Sequence, residues 1–360
     1  MNLWKDKRVL ITGAAGTVGR ELLRQLVALE PAEIIGLDNN ETEVFFIQQA
    51  YARLPFVRLY LADIRRAPEL TRHMEGMDIV LHTAAYKHVF LCEQAPRNAV
   101  QTNILGTQNV IDAALANGIE RVIFTSSDKA VNPTSVMGTS KLMCERLITA
   151  ANSMRRDHKP IFASTRFGNV LGSRGSVLPL FVRQIAEGGP VTLTHEEMSR
   201  FIMTLADAVR LVMESVFLCL GGEVCITKMP VTRIRDLAAV MIQEVAPRFG
   251  RQPADIAVKV IGSLPGEKLY EELMNEEEKR RAVELSRYFI VLPALRPVYT
   301  PVEYIYPELI RATVDQAYNS STEPSLSRQQ LRDYIVNCGL LEEALEAVPA
   351  SSSQSPILVS

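Results

Sequence analysis

Arg8-Val9-Leu10-Ile11-Thr12-Gly13-Ala14-Ala15-Gly16-Thr17-Val18-Gly19 is the stretch on which the fold turns. A short β-rich run, Arg8 to Thr12, enters glycines in a G-x-x-G-x-x-G pattern. A helix follows, with Leu22, Leu23, Leu26 and Leu29 on one face. Gly13 permits a tight turn, Gly16 lets a pyrophosphate approach the backbone, and Gly19 lets helix and strand pack closely. Phosphates would rest on the free N–H groups around Ala15, Gly16, Thr17 and Val18 at the helix start. A strand before the glycines and a helix after them is the context such a motif requires. The plainer alternative is a glycine-rich loop without a ligand.

The following strands extend the pattern. Glu33-Ile34-Ile35-Gly36-Leu37 ends at Asp38-Asn39, the expected distance past the glycines for an acid that binds an adenosine ribose diol. A carboxylate there repels a 2′-phosphate and no Arg follows directly, so the reading is NAD rather than NADP. Asp38 could instead only cap the helix starting near Asn40. The third strand, Phe56 to Leu61, leads to Asp63-Ile64, where an acid can hold the adenine edge. The fourth, Asp78 to His82, leads to Ala84 and Ala85, small enough for a cofactor to pass, and to Lys87 and His88, which face the cleft. His82 itself reads as a core histidine. A long helical stretch is expected from about Gln94 to Ala116, with Asn103 in its middle. Asn is a poor helix former, so there it either bridges backbone groups near the fifth strand or faces water.

The chemistry gathers after the fifth strand, Arg121-Val122-Ile123-Phe124. Thr125-Ser126-Ser127-Asp128-Lys129-Ala130-Val131-Asn132-Pro133 sits at a strand's carboxyl end, where open α/β sheets bind ligands. Pro133 stops the strand, and a helix starting near Ser135 carries Met137 and Lys141 to about Met154. Adjacent Asp128 and Lys129 are ionisable groups of opposite sign. A solvated surface pair is the bland reading.

After the sixth strand, Pro160 to Thr165, the glycine-rich loop Arg166 to Phe181 is too long for an ordinary connection, and such loops are usually functional. Asn169, Ser173, Arg174 and Ser176 offer donors to a second phosphate group. The strict strand–helix alternation then weakens. The expected architecture is α/β: a Rossmann-type doubly wound parallel sheet over residues 1–171, and a smaller mixed α/β substrate-binding portion over 172–345 with some strands interleaved. Residues 346–360 are expected to be a disordered tail.

Composition narrows the classes. With 360 residues, 47% hydrophobic and 22% charged, the chain is an ordinary globular protein. A net charge of −2 gives no basic surplus for nucleic acid or an anionic membrane. The five cysteines form no Cys-x-x-Cys pair, which argues against a metal centre and fits a reducing cytoplasm. The N-terminus has no apolar signal core, and Leu211 to Leu220, interrupted by Glu214, is too short to span a bilayer.

On the glycine segment, Ser127-Asp128-Lys129-Ala130-Val131-Asn132-Pro133, Arg166 to Val177, Arg200-Phe201-Ile202-Met203-Thr204 and Pro265-Gly266-Glu267-Lys268, the chain resembles the extended short-chain dehydrogenase/reductase superfamily. Within it, the chain is similar to the nucleotide-sugar 4,6-dehydratases of the polysaccharide-biosynthesis group. Most of that superfamily has Tyr four residues before the helix Lys. Here that place is Met137, so the resemblance is to the Met-containing subgroup that acts on UDP-N-acetylglucosamine and keeps the configuration at C5. Many of its members carry an N-terminal membrane region; this chain resembles their soluble relatives. Leu264 stands where the family has an Arg that contacts pyrophosphate.

The resemblance implies a lyase that uses NAD and binds a nucleotide sugar, and often homo-oligomerises. C4 is oxidised, water leaves across C5 and C6, and hydride returns to C6. Asp128 protonates the C6 oxygen and Lys129 takes the C5 proton. Lys141 holds the nicotinamide ribose, and Ser127 or Asp128 relays the C4 hydroxyl proton in place of a tyrosine. Lys87, His88, Asn169, Ser173, Arg174, Ser176, Val177, Thr194, Arg200 and Glu267 are the expected substrate contacts. Two rivals stay open: an epimerase of the same superfamily, and a non-catalytic NAD-sensing protein with Met137 as the mark of lost activity.

Overall fold

Apolar side chains alternate across β1 (Arg8–Thr12): Val9 and Ile11 enter one core layer and Leu10 the other. A strand buried on both faces belongs inside a sheet covered by helices on each side. The computed structural model describes residues 2–154, 159–172, 176–262, 266–295 and 302–348. The strand–helix unit repeats through α1 (Thr17–Val27), β2 (Glu33–Asp38), α2 (Glu41–Ala50), β3 (Val57–Leu61), α3 (Ala67–His73) and β4 (Ile79–His82).

The helix expected from Gln94 to Ala116 starts earlier and is broken. It comprises α4 (Val89–Gln94), α5 (Pro96–Ala99), a π-helical stretch at Val100–Leu105, and α6 (Gly106–Ala116). Pro96 has no N–H to continue α4, so the chain restarts there. Next come β5 (Arg121–Thr125), a 3₁₀ turn at Asp128–Ala130, α7 (Val136–Ala151) and β6 (Ile161–Arg166). Ser135 caps α7, its hydroxyl accepting from Gly138 N, and the helix ends three residues short of Met154.

The second half contributes β7 (Asn169–Val170), α8 (Val177–Glu187), β8 (Val191–Leu193), β9 (Ser199–Met203), α9 (Leu205–Leu218), β10 (Val224–Thr227), β11 (Val231–Arg233), α10 (Ile234–Val245), β12 (Val258–Val260) and β13 (Glu272–Met274). It continues through β14 (Ala282–Leu285), β15 (Tyr288–Val291), β16 (Leu309–Arg311), β17 (Tyr318–Asn319), α11 (Arg328–Asn337) and α12 (Leu340–Glu346).

The ten-stranded main sheet runs β16-β14-β15-β10-β6-β5-β4-β1-β2-β3. From β10 to β3 the pairing is parallel, and β15, β14 and β16 add an antiparallel edge. The order reverses between β1 and β4, which opens a crevice at the carboxyl ends of those strands. Helices α1, α2 and α9 cover one face, and α3, α6 and α7 the other. A separate core joins β8 with α8, α10, α11 and α12. The second half thus both returns strands to the main sheet and builds its own unit. Residues 349–360, most of the expected tail, lie outside the described residues. No helix among the described residues is long and apolar enough to cross a membrane.

Candidate functional site

The glycine turn leaves β1 with Gly13 at φ +72°, a conformation side chains resist. A Cβ on Gly13 would lie 2.7 Å from Ala84 N, and one on Gly19 2.1 Å from Gly13 O. The turn, the start of α1 and the loop after β4 are therefore packed backbone against backbone, as the spacing of the glycines implies. Gly16 is the N-cap of α1. No side chain caps it and no acid occupies the first turn, so the N–H groups of Thr17, Val18 and Gly19 face no competing carboxylate. This cradle fits a dinucleotide pyrophosphate.

Asp38 ends β2 beside the turn. Its Oδ2 accepts from Ala15 N at 2.9 Å and its Oδ1 from Asn40 N at 3.0 Å. The cap of α2 is Asn40, not Asp38. Asp63 is held by Arg65, whose hydrogen bond keeps the carboxyl below its usual range, with Asn39 contributing. Ile64 beside it is buried, and its carbonyl accepts from Asn109. Ala84 and Ala85 are partly covered, while Lys87 and His88 are exposed on the loop entering α4. His82 is a core residue: Nδ1 meets Thr12 Oγ1 at 2.7 Å and Nε2 meets Thr107 Oγ1 at 3.0 Å. Burial, and secondarily the Lys141 charge, draws its pKa down to about 3.

Asn103 faces neither water nor the fifth strand. Its Oδ1 accepts from Tyr86 N at 2.8 Å, and its Nδ2 donates to Tyr86 O and to Ser140 Oγ. It ties the loop after β4 to α7. The π-helical stretch leaves the Asn103 carbonyl for Thr107 Oγ1 and Cys144 Sγ.

Beyond β5 the chain folds into the 3₁₀ turn that carries the acid–base pair. Ser127 caps it, accepting from Lys129 N. Ser127 Oγ also donates to Asp128 Oδ1 at 2.7 Å. Lys129 Nζ lies 3.0 Å from Asp128 Oδ2 and 3.7 Å from Glu271 Oε1. Asp128 is 4% exposed, whereas the Lys129 side chain keeps 37% of its surface accessible. The pair is therefore not a solvated surface pair. Burial alone would raise the Asp128 carboxyl, but Lys129 and the hydrogen bonds from Ser127 and Lys129 carry it below its usual range. Burial would lower Lys129; the Asp128 carboxylate foremost, with Glu271 adding when it is ionised, outweighs it and holds the ammonium up. In the free protein the pair rests as carboxylate and ammonium.

Lys141 reaches back from α7. Its Nζ donates to Thr125 O at 2.8 Å and stands 4.6 Å from the centre of the Phe124 ring. Burial draws it down to about 8. Met137 is 3% exposed, in a small apolar cluster with Cys92 and Ala99. It brings no hydroxyl to the site.

The second half supplies a wall. Glu271 is 5% exposed and receives Arg200 Nε at 3.2 Å on the same Oε1 that faces Lys129. Arg200 also donates to the carbonyls of Ser199, Lys268 and Leu269, and lies 3.7 Å from Glu267. Thr194 Oγ1 donates to Glu267 at 3.2 Å. Arg200 was expected to grip the diphosphate. Here its guanidinium is buried and committed to protein acceptors, because five donors inside a fold must find partners. It clamps the 267–271 segment onto β9. Asn169 lies in β7 opposite Ile202, and Ser176 is the N-cap of α8 ahead of Val177. Ser173, Arg174 and Leu264 lie outside the described residues.

Sequence reading missed three features. Glu271 stands next to Glu272 and carries no local sign of its place in the cluster. Gly138 sits in the first turn of α7, where a Cβ would meet the Lys129 carbonyl oxygen. Arg166 forms a buried triad: its Nη2 lies 2.6 Å from Glu145 and 2.7 Å from Glu278, and its Nη1 donates to Leu273 O. The triad locks α7, β6 and β13 together under the site. The only signal for it was an Arg at the end of an apolar strand.

The sequence matches the family described as polysaccharide biosynthesis protein over residues 9–293. It is 48% identical over 292 residues to an uncharacterized membrane protein of Methanocaldococcus jannaschii, covering 81% of this chain and 87% of the relative. It is 35% identical over 296 residues to a UDP-N-acetylglucosamine 4,6-dehydratase (inverting) of Campylobacter jejuni, covering 82% and 85%. A UDP-glucose 4-epimerase of Rickettsia canadensis is 32% identical over 350 residues, covering 96% and 99%. Some relatives are longer: the chain spans 46% of the capsular polysaccharide biosynthesis protein CapD of Staphylococcus aureus. The solved structure of Pen from Bacillus thuringiensis is similar with a TM-score of 0.86 at 40% identity, covering 94% of this chain and 99% of that one. The glycine cradle at the switch point, the acid–base pair after β5 and these matches lead to one conclusion. The chain belongs to the polysaccharide biosynthesis protein family, within the short-chain dehydrogenase/reductase-type superfamily of nucleotide-sugar dehydratases and epimerases.

Proposed function

We propose that this chain dehydrates an NDP-N-acetylhexosamine, UDP-N-acetylglucosamine first among them, to the 4-keto-6-deoxy sugar, with NAD retained and recycled. The observation that carries the reading is the Asp128–Lys129 contact of 3.0 Å, its carboxylate buried, at the carboxyl end of β5. Elimination of water needs an acid for the leaving hydroxyl and a base for the neighbouring C–H, held together. Epimerisation at C4 needs neither group at C6. The named dehydratase among the relatives supports the choice, and the named epimerase supplies the alternative.

Bound NAD supplies the hydride acceptor for C4 and the hydride that returns to C6. The chain's own groups handle protons. Met137 offers no hydroxyl, so the C4 hydroxyl proton leaves through Ser127 or Asp128, two groups already joined by a 2.7 Å hydrogen bond. Asp128 is protonated by that route, and Lys129, 37% exposed, gives its own proton to solvent. An uncharged Lys129 amine then takes the C5 proton. The C6–O bond breaks, its oxygen takes the Asp128 proton, and water departs. The elimination leaves carboxylate and ammonium; as the hydride returns to C6, the Lys129 ammonium gives its proton back to C5, and a proton from solvent restores the resting pair. Lys141, drawn down to about 8 and donating to Thr125 O, holds the nicotinamide ribose in this reading. With Arg200 committed to Glu267 and Glu271, Thr194, Glu267 and Arg200 act on the nucleotide sugar as one linked wall rather than as separate grips.

The test is incubation of the purified protein with UDP-N-acetylglucosamine. A product lighter by one water, with the C5 configuration retained in its NMR spectrum, is expected. A new isomer of unchanged mass would make the chain an epimerase.

A further inference from the structure

Three carboxyl groups, Asp128, Glu267 and Glu271, meet two cations, Lys129 and Arg200, in one mostly buried cluster. Lys268, the next cation along, is turned to Val131 O and Glu272. Written fully ionised, the cluster carries one excess negative charge. It also leaves a polar atom stranded. Glu271 Oε1 serves both Lys129 and Arg200, but Glu271 Oε2 is buried with no hydrogen-bond partner among the described residues. A buried oxygen without a partner is costly, and a second carboxylate beside Asp128 more so. One proton on Glu271 removes both problems. It neutralises the excess charge and lets Oε2 donate to the Asp128 carboxylate.

We propose that Glu271 is a positioning residue for the elimination: it stands as an uncharged carboxyl that donates its proton to Asp128, and in that form it leaves Lys129 able to lose its charge and act as the base. The inference rests on the dehydratase reading for the role of Lys129. An ionised Glu271 at 3.7 Å would instead hold Lys129 as ammonium. The electrostatics agree. Burial first, and the Asp128 carboxylate second, push Glu271 up to about 8, although Lys129 and Arg200 oppose the shift. Among the described residues, the charged groups facing Glu271 are Asp128 and Lys129 from the 3₁₀ turn, Arg200 from β9, and Glu267 through Arg200. From β17's side Ser320 binds it, its hydroxyl accepting from Glu271 N at 2.9 Å.

Two measurements test this. Infrared difference spectra of the substrate-free holoenzyme should show a protonated carboxyl band at pH 7 that titrates away near pH 8 and is missing from Glu271→Gln. In turnover, Glu271→Ala should lose on the order of 10²-fold in kcat, the scale of proton-transfer assistance. Glu271→Gln, neutral and still a donor to Asp128, should recover at least about tenfold of that loss with KM little moved. The proposal is overturned if the band is absent or if Glu271→Gln is as impaired as Glu271→Ala. Because the infrared band needs no sugar, failure to dehydrate any nucleotide sugar with the band present would sink the dehydratase reading alone.

Discussion

An added Cβ on Gly138 would stand 2.2 Å from the carbonyl oxygen of Lys129. The first turn of α7 therefore presses directly on the 3₁₀ turn that carries the acid–base pair, and only a residue without a side chain allows it. Gly138→Ala must push helix and turn apart. The expected cost is about 1–3 kcal/mol of stability, the range for forced overpacking, and a fall in turnover with NAD content kept. Thermal melting and kcat check it. A variant with unchanged melting temperature and full turnover would show that the contact is slack.

Asp128→Asn keeps the side chain's shape and removes its proton. Lys129→Ala removes the proposed base. Each should lower water loss by at least ~10²-fold while the fold and bound NAD persist. They should part company in deuterated water. Asp128→Asn keeps the base, so it can exchange the C5 proton without eliminating, provided the 4-ketone still forms. Lys129→Ala should do neither. Mass spectra of recovered UDP-N-acetylglucosamine give the answer, and exchange by Lys129→Ala at the wild-type rate would remove Lys129 from the role of base.

Asp38 accepts from Ala15 N and so joins the end of β2 to the phosphate turn. Protein denatured after purification should release NAD and not NADP. Asp38→Ala should lower NAD affinity by about 10- to 100-fold, the scale of a hydrogen bond to a charged group. Release of NADP would show that Asp38 does not face the ribose.

Arg166→Met leaves Glu145 and Glu278 buried without their cation. Breaking a buried ion network from one side costs about 3–5 kcal/mol. Denaturant unfolding should show that loss. A change below about 1 kcal/mol would mean water reaches the two carboxylates.

His82 has a pKa near 3 in the fold and an ordinary value of 6.5 when unfolded. Between those values the unfolded chain binds more protons, so stability falls as pH drops from about 6.5 towards 3. His82→Gln removes this contribution. Its unfolding free energy should decline less steeply on acidification, by up to about 1.4 kcal/mol per pH unit. Parallel slopes for the two proteins would show that His82 titrates normally in the fold.

How much of this could be read from residues alone depends on how far apart the interacting groups lie in the chain. The glycine turn, Asp38 at the end of β2, the position of Asp128–Lys129 after β5 and the Ser135 cap of α7 are all local. A strand–turn–helix segment carries its own backbone requirements, and the alternation Val9, Leu10, Ile11 already states that both faces of β1 are covered. Asn103 was noticed because a helix interior disfavours it, yet its partners, Tyr86 and Ser140, belong to other elements. Glu271 and Arg200 gave no such local sign. An acid 143 positions after Asp128 becomes part of the acid–base cluster only because Arg200 and Ser320 fasten its segment there. The Arg166 triad and the Gly138 contact have the same origin. Local propensity and spacing determined the strands, the phosphate turn and the place of the chemistry. The protonation of that chemistry was decided only by tertiary packing, because charge burial and pairing depend on which distant side chains share a space closed to water.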